Sequence, residues 1–122
     1  MKDHKLNPDS PEHFHGERQR LNELVLQFTG KNIKRFFALD SQAYHDGALP
    51  ARTKEIIGLV ASLVLRCDDC VKYHLNQCHQ AKVTDAELEE ALNIGLIVGG
   101  SIVIPHLRRA VAFWQELRQS AS

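Results

Sequence analysis

An all-α single domain of about six helices is the fold class that the sequence predicts, on three observations. Apolar residues recur at three- and four-residue steps along most of the chain, no segment shows the two-residue period of a strand, and the links between periodic stretches are short. Paired helices with short connections point to orthogonal or bundle-like packing. The composition agrees: 122 residues, 43% hydrophobic and 25% charged, make one ordinary globular domain.

The elements follow in order. Residues 1–11 are polar, contain two prolines and read as a loose, flexible leader, so residues 12–122 are left as the helical domain. From Glu12 to Thr29, Leu21, Leu24, Val25 and Phe28 share one helical face, and Gly30 ends the helix. A second helix is expected to turn Ile33, Phe36, Phe37 and Ala43 inward; Asp46-Gly47 closes it, and Pro50 starts a third near Ala51. Ile56 to Leu65 carries no charge, which predicts a central helix buried nearly all round. A break at Cys67 and Asp68 leads into a fourth helix that reaches about Lys82. Thr84-Asp85-Ala86-Glu87 has the form of a capping box and opens a fifth through Leu88, Ala91, Leu92 and Leu96. Gly99-Gly100 interrupts it, and a sixth runs from Ser101 or Pro105 to about Gln119 on a stripe of Leu107, Val111, Trp114 and Leu117. Trp114 and the five phenylalanines are assigned to the core. Ile94 to Ile104, eleven residues without a charge, is a candidate subunit contact that burial within one subunit explains equally well.

Chemistry concentrates in Glu55, Cys67, Cys70 and His74. Two thiols three residues apart can open and close a disulfide, since one helical turn separates their alpha carbons by about 5 Å. His74 is four residues past Cys70, so all three side chains fall on one helical face. A free thiol has a pKa of about 8.5, and lowering it to about 6.5 takes roughly 2.7 kcal/mol of preference for the anion. Asp68 is a good N-cap residue, and a helix starting there places Cys70 in its first turn, worth about 0.3–1 kcal/mol to a thiolate. That is too little alone, and Asp68 and Asp69 oppose it. A base is needed: His74 is the candidate, with Glu55, at the edge of the uncharged helix, as the carboxylate behind it. In an ideal antiparallel hairpin the two are not level, because Glu55 lies about 18 Å from the turn and His74 about 10 Å. A steep helix crossing or a bridging water has to close that gap.

The pattern Glu55-x11-Cys67-x2-Cys70-x3-His74 resembles the signature of the alkylhydroperoxidase D (AhpD)-like branch of the carboxymuconolactone decarboxylase family, over about residues 30–115. The resemblance implies an AhpD-like all-helical fold, a homo-oligomer, and a peroxidase that reduces hydroperoxides through a cycling disulfide. It further implies Cys70 as the peroxide-attacking thiolate, Cys67 as the resolving thiol, Glu55 with His74 as the proton relay, and a lipoylated or thioredoxin-like dithiol protein as reductant. The family's characterised peroxidases carry a histidine immediately before the second cysteine, where this chain has Asp69. The family's ordinary decarboxylases lack the dithiol.

Other readings stay open. Fifteen basic residues balance fifteen acidic ones without a basic cluster, which argues against nucleic acid as a partner. No uncharged apolar stretch reaches the length of a membrane span, and the N-terminus has no secretory apolar core, so a cytoplasmic protein without a membrane partner is expected. No cofactor is expected. Cys67, Cys70 and His74 with Cys78 or His79 form an alternative zinc set, although side chains along one straight helix do not converge on an ion. A redox switch is the third reading. Cys78 is assigned to packing, and no partner is assigned to His45, His79 or His106.

Overall fold

Side chains that the sequence supplies set most of the helix starts. The computed structural model describes residues 10–120, so the expected leader falls almost wholly outside the described residues. Ser10 accepts a hydrogen bond from the backbone N–H of His13 at 3.1 Å and, with Pro11 in the first turn, opens α1, Pro11–Phe28. After α2, Lys31–Ala43, the Asp46 carboxylate accepts from the N–H of Ala51 at 2.6 Å and starts α3, Ala51–Val64. α4 spans Asp68–Gln80. The expected capping box is present with both reciprocal bonds between Thr84 and Glu87, and it opens α5, Asp85–Gly99. Gly100, at φ +82°, turns the chain into a short 3₁₀ segment, Ser101–Val103, before α6, Ile104–Ser120. Among the described residues there are six α-helices and no strand, as expected.

α3 ends in a way that aims the chain at the site. The N–H of Cys67 bonds the carbonyl of Ser62 and the N–H of Arg66 that of Leu63, a paired closure that needs one left-handed residue, and Arg66 takes it at φ 60°. The chain reverses within three residues, so α4 packs back on α3 with Cys67 at its head.

The core sits between α3, α4, α5 and α6. Leu59 and Leu63 of α3, Val71 and Leu75 of α4, Leu88 and Leu92 of α5, and Phe113, Trp114 and Leu117 of α6 form it, with Val103 beneath. Two expectations fail here. α2 buries none of its residues, and Phe36 is 65% exposed, so the predicted inner side of that helix faces outward. In α1, Leu21, Leu24 and Phe28 are exposed as well, Phe28 by 92%, and the helix docks instead through Phe14, edge-on to Phe113 at 5.9 Å. The apolar period is real and makes both helices amphipathic, but a period states only that a face seeks cover, not that the same subunit supplies it. α3 is likewise open on one side, at Ile57 and Leu65, and Val111 of the α6 stripe is exposed. Ile94, Ile97, Val98 and Ile102 turn outward from the uncharged segment while Val103 is buried.

Candidate active site

Cys67 and Cys70 are joined by a disulfide with their alpha carbons 5.3 Å apart, at the head of α4. Cys67, rather than Asp68, is the N-cap residue: its sulfur accepts from the backbone N–H of Cys70 at 3.2 Å. Asp68 is the better cap by residue type, but α6 claims it. His106 Nδ1 meets one carboxylate oxygen at 2.8 Å and Arg109 Nε donates to the other at 2.9 Å. Burial pushes the Asp68 carboxyl up, yet these bonds outweigh it and hold the group below its ordinary value of 3.8. A depressed carboxylate contributes stability that is present above the unfolded pKa and disappears as pH falls through the lower folded value. The wild type is therefore expected to melt above Asp68→Asn near neutral pH, with the gap closing as pH falls below the ordinary carboxylate value of about 4. Melting curves of the two proteins across that range check this, and a gap independent of pH would contradict it.

The imidazole of His74 is buried and held at both nitrogens. Nδ1 lies 2.8 Å from Glu55 Oε1, and Nε2 lies 3.3 Å from the Tyr44 hydroxyl. An ionised carboxylate only accepts, so the proton on that side belongs to Nδ1, and in the neutral ring Nε2 accepts from the phenol. Burial, and after it the charge of Glu55, raises the Tyr44 pKa, which keeps that hydroxyl protonated and able to donate. Glu55 lies in the second turn of α3 and is itself buried.

Gly58 closes the register gap between Glu55 and His74. Gly58 is one turn beyond Glu55 on the same face of α3 and level with His74 across the hairpin. A side chain there would begin 2.7 Å from the Tyr44 hydroxyl oxygen and 2.8 and 2.9 Å from His74 Cε1 and Nε2. The ring lies where that Cβ would be, and Nδ1 reaches back one turn to the carboxylate directly, without a bridging water. Sequence reasoning missed both Gly58 and Tyr44. A glycine inside a helix costs about 1 kcal/mol against alanine, so its place among Ile56, Ile57 and Leu59 was a readable signal of close approach. Tyr44, the C-cap residue of α2, has no such signal.

A cavity of about 530 Å³ opens beside Cys70 between α1 and α4, with Asp40 of α2 at its edge. Cys70 and His74 share its wall with Tyr73, Phe14, Arg18 and Asp40. The Arg18 guanidinium stacks over the Tyr73 ring at 4.0 Å and ties α1 to this wall. Asp69 lines the same cavity. Cys78 is fully buried and its thiol is pushed up to about 12, chiefly by burial and then by the charge of Glu55, so it stays protonated and serves as packing. His79 stacks edge-on against Trp114 at 5.7 Å. Among the described residues no three His, Cys, Asp or Glu side chains converge to hold a metal ion.

An all-helical fold with a dithiol at a helix head, backed by an imidazole–carboxylate pair, defines the class. The chain belongs to the carboxymuconolactone decarboxylase family, which matches residues 32–113. A crystal structure of a Thermotoga maritima protein is similar at 57% identity with a TM-score of 0.88, covering 90% of this chain and 96% of that one. A second crystal structure of that same Thermotoga maritima protein, there described as a family member and a candidate for antioxidative response, is 58% identical with a TM-score of 0.84, covering 87% of this chain and 90% of that one. A Legionella pneumophila family member shares the fold at 23% identity and a TM-score of 0.80, covering 87% of this chain and 95% of that one. An uncharacterized protein of Cupriavidus necator is 30% identical over 106 residues, 82% of this chain and 94% of its own length. Among the described residues no helix is long and apolar enough to cross a membrane.

Proposed function

We propose that the protein reduces hydroperoxides through the Cys67–Cys70 dithiol. One observation carries the reading: Cys70 opens onto a cavity one helical turn from an imidazole whose far nitrogen is fixed by a buried carboxylate. In the reduced protein His74 Nε2 exchanges the Tyr44 hydroxyl for the Cys70 thiol as its donor and takes that thiol's proton, and Glu55 stabilises the imidazolium through Nδ1–H. The thiolate attacks one peroxide oxygen, the O–O bond breaks, and the leaving alkoxide takes the proton from His74 as it departs as alcohol. Cys70 is left as sulfenic acid. The Cys67 thiol then attacks that sulfur, water leaves, and the disulfide forms. Two electrons and two protons from a lipoylated or thioredoxin-like dithiol protein restore the thiols. The Thermotoga relative's candidate part in antioxidative response supports this reading.

Asp69 stands where the family's characterised peroxidases have histidine, and its negative charge on the cavity wall works against a thiolate beside it. The wide cavity leaves room for an organic hydroperoxide. The exposed apolar faces of α1, α2 and α5 support self-association, and a cytoplasmic site of action is part of the same proposal.

Peroxide consumption coupled to a dithiol reductant tests the proposal. Turnover is expected in the wild type and its loss by at least about 10³-fold in Cys70→Ser, since a hydroxyl has no accessible anion at neutral pH. Equal turnover in the two proteins would overturn the assignment of Cys70.

A further inference from the structure

The two sulfurs are provided for differently. His74 is one turn from Cys70 but two turns, about 10 Å along the axis, from Cys67, so the imidazole serves Cys70 alone. Cys67 has another stabiliser, the Cys70 N–H that points at its sulfur from 3.2 Å at the head of a 13-residue helix. A hydrogen bond to an ionised acceptor is about twice as strong as one to a neutral acceptor, so this bond strengthens as charge collects on Cys67. The carboxylate next in the chain, Asp68, would oppose that charge, but Arg109 and His106 tie up both of its oxygens. Access is equally one-sided. Cys70 is exposed and lines the cavity, whereas Cys67 is half-buried and lies off the cavity wall.

We infer that reduction of the disulfide is directional: the incoming thiolate attacks the Cys70 sulfur, the one the cavity lets it reach, and Cys67 departs with its charge held by the Cys70 N–H. In balance, the attacking sulfur's electron pair forms a bond to Cys70 Sγ, the S–S bond breaks, and its pair leaves on Cys67 Sγ. Cys67 is reduced, the attacking sulfur is oxidised to the mixed disulfide, and Cys67 takes a proton from water. The second thiolate of the reductant then attacks its own sulfur in the mixed disulfide. Cys70 leaves in turn and receives, through His74 Nε2, the proton that the ring has taken from the reductant's second thiol. The inference rests on the proposed use of the dithiol in turnover, and it assigns the class of partner contact. A reductant must reach Cys70 through the mouth between α1 and α4 and need not touch Cys67.

Sulfite tests this on the oxidised wild-type protein without any peroxide, so the result stands apart from whether the protein is a peroxidase. Sulfite attacks a disulfide as a thiolate does and leaves an S-sulfonate on the attacked sulfur, while iodoacetamide in the same solution alkylates the sulfur that leaves. Fragmentation of the peptide that carries both cysteines then locates each mark. The expected result is S-sulfonate on Cys70 and carbamidomethyl on Cys67, in excess over the reverse by about tenfold or more. The reverse placement, or comparable amounts of both, would overturn the inference. In Arg109→Met the excess is expected to shrink, because the Asp68 charge beside Cys67 loses its cation. Reduction at an unchanged ratio in that variant would remove Asp68 neutralisation from the account and overturn that part of it.

Discussion

Glu55→Gln is expected to cut peroxide turnover by on the order of 10²- to 10³-fold while the protein stays folded. The reason is a separation of two roles that one oxygen atom plays. Toward the neutral ring, Oε1 is a hydrogen-bond acceptor for His74 Nδ1–H at 2.8 Å, and a glutamine carbonyl accepts that bond as well. Toward the imidazolium that forms when Cys70 loses its proton, the carboxylate is a counter-charge inside a buried site, and an amide is not. Stability should therefore change by less than about 1 kcal/mol while the base weakens. Glu55→Ala, in contrast, leaves the buried Nδ1–H without its acceptor and should cost about 1–3 kcal/mol of stability as well. Steady-state rates and denaturant melts on the two variants read the two effects separately. A Glu55→Gln protein with wild-type turnover would show that the carboxylate holds the ring and does nothing else.

The second large effect is expected from Gly58→Ala, a substitution far milder on paper. In a solvent-exposed helix it would stabilise by about 1 kcal/mol. Here the new methyl group would start under 3 Å from the Tyr44 hydroxyl and from two atoms of the His74 ring. Neither neighbour is the end of a flexible chain: the ring is pinned by Glu55 on one side and by the phenol on the other. It has to tilt, and tilting breaks one of those bonds. Overpacking of this kind costs about 1–3 kcal/mol, against which the propensity gain is set, so the net loss of stability is small. Turnover should fall by about tenfold or more, because a displacement of about 1 Å at a proton-transfer group costs rate steeply. Unchanged rate with raised stability would mean that the ring does not depend on the floor Gly58 provides.

Much of the helical frame was legible in the chain because its signals are local. The Thr84–Glu87 box, the Asp46–Pro50 start of α3, the Gly99-Gly100 stop and the three-to-four-residue apolar period each depend on residues within one or two turns. The dithiol was legible for the same reason. What failed to show depends on which helix covers which. The stripe of Ile33, Phe36 and Phe37 announces an amphipathic α2, yet among the described residues Ile33 and Phe36 stay exposed and Phe37 is only half-buried. Asp68 reads as the cap of α4 until His106 and Arg109, some forty residues on, draw it away and leave Cys67 in that position. Tyr44 meets His74 only because α2 ends beside α3, a fact of docking with no trace in spacing. Glu55 and His74 look mismatched on ideal helices, and Gly58 resolves the mismatch by letting the ring lie against the backbone.

On the proposed mechanism the Cys70 sulfur is made anionic by its imidazole neighbour, His74. The pH dependence of Cys70 alkylation by iodoacetamide, measured on Cys67→Ser and on Cys67→Ser/His74→Gln, tests it most directly. With His74 present, the rate is expected to reach half its plateau well below the ordinary thiol pKa of about 8.5, and without it the midpoint should move up toward that value. Coincident midpoints in the two proteins would contradict the account.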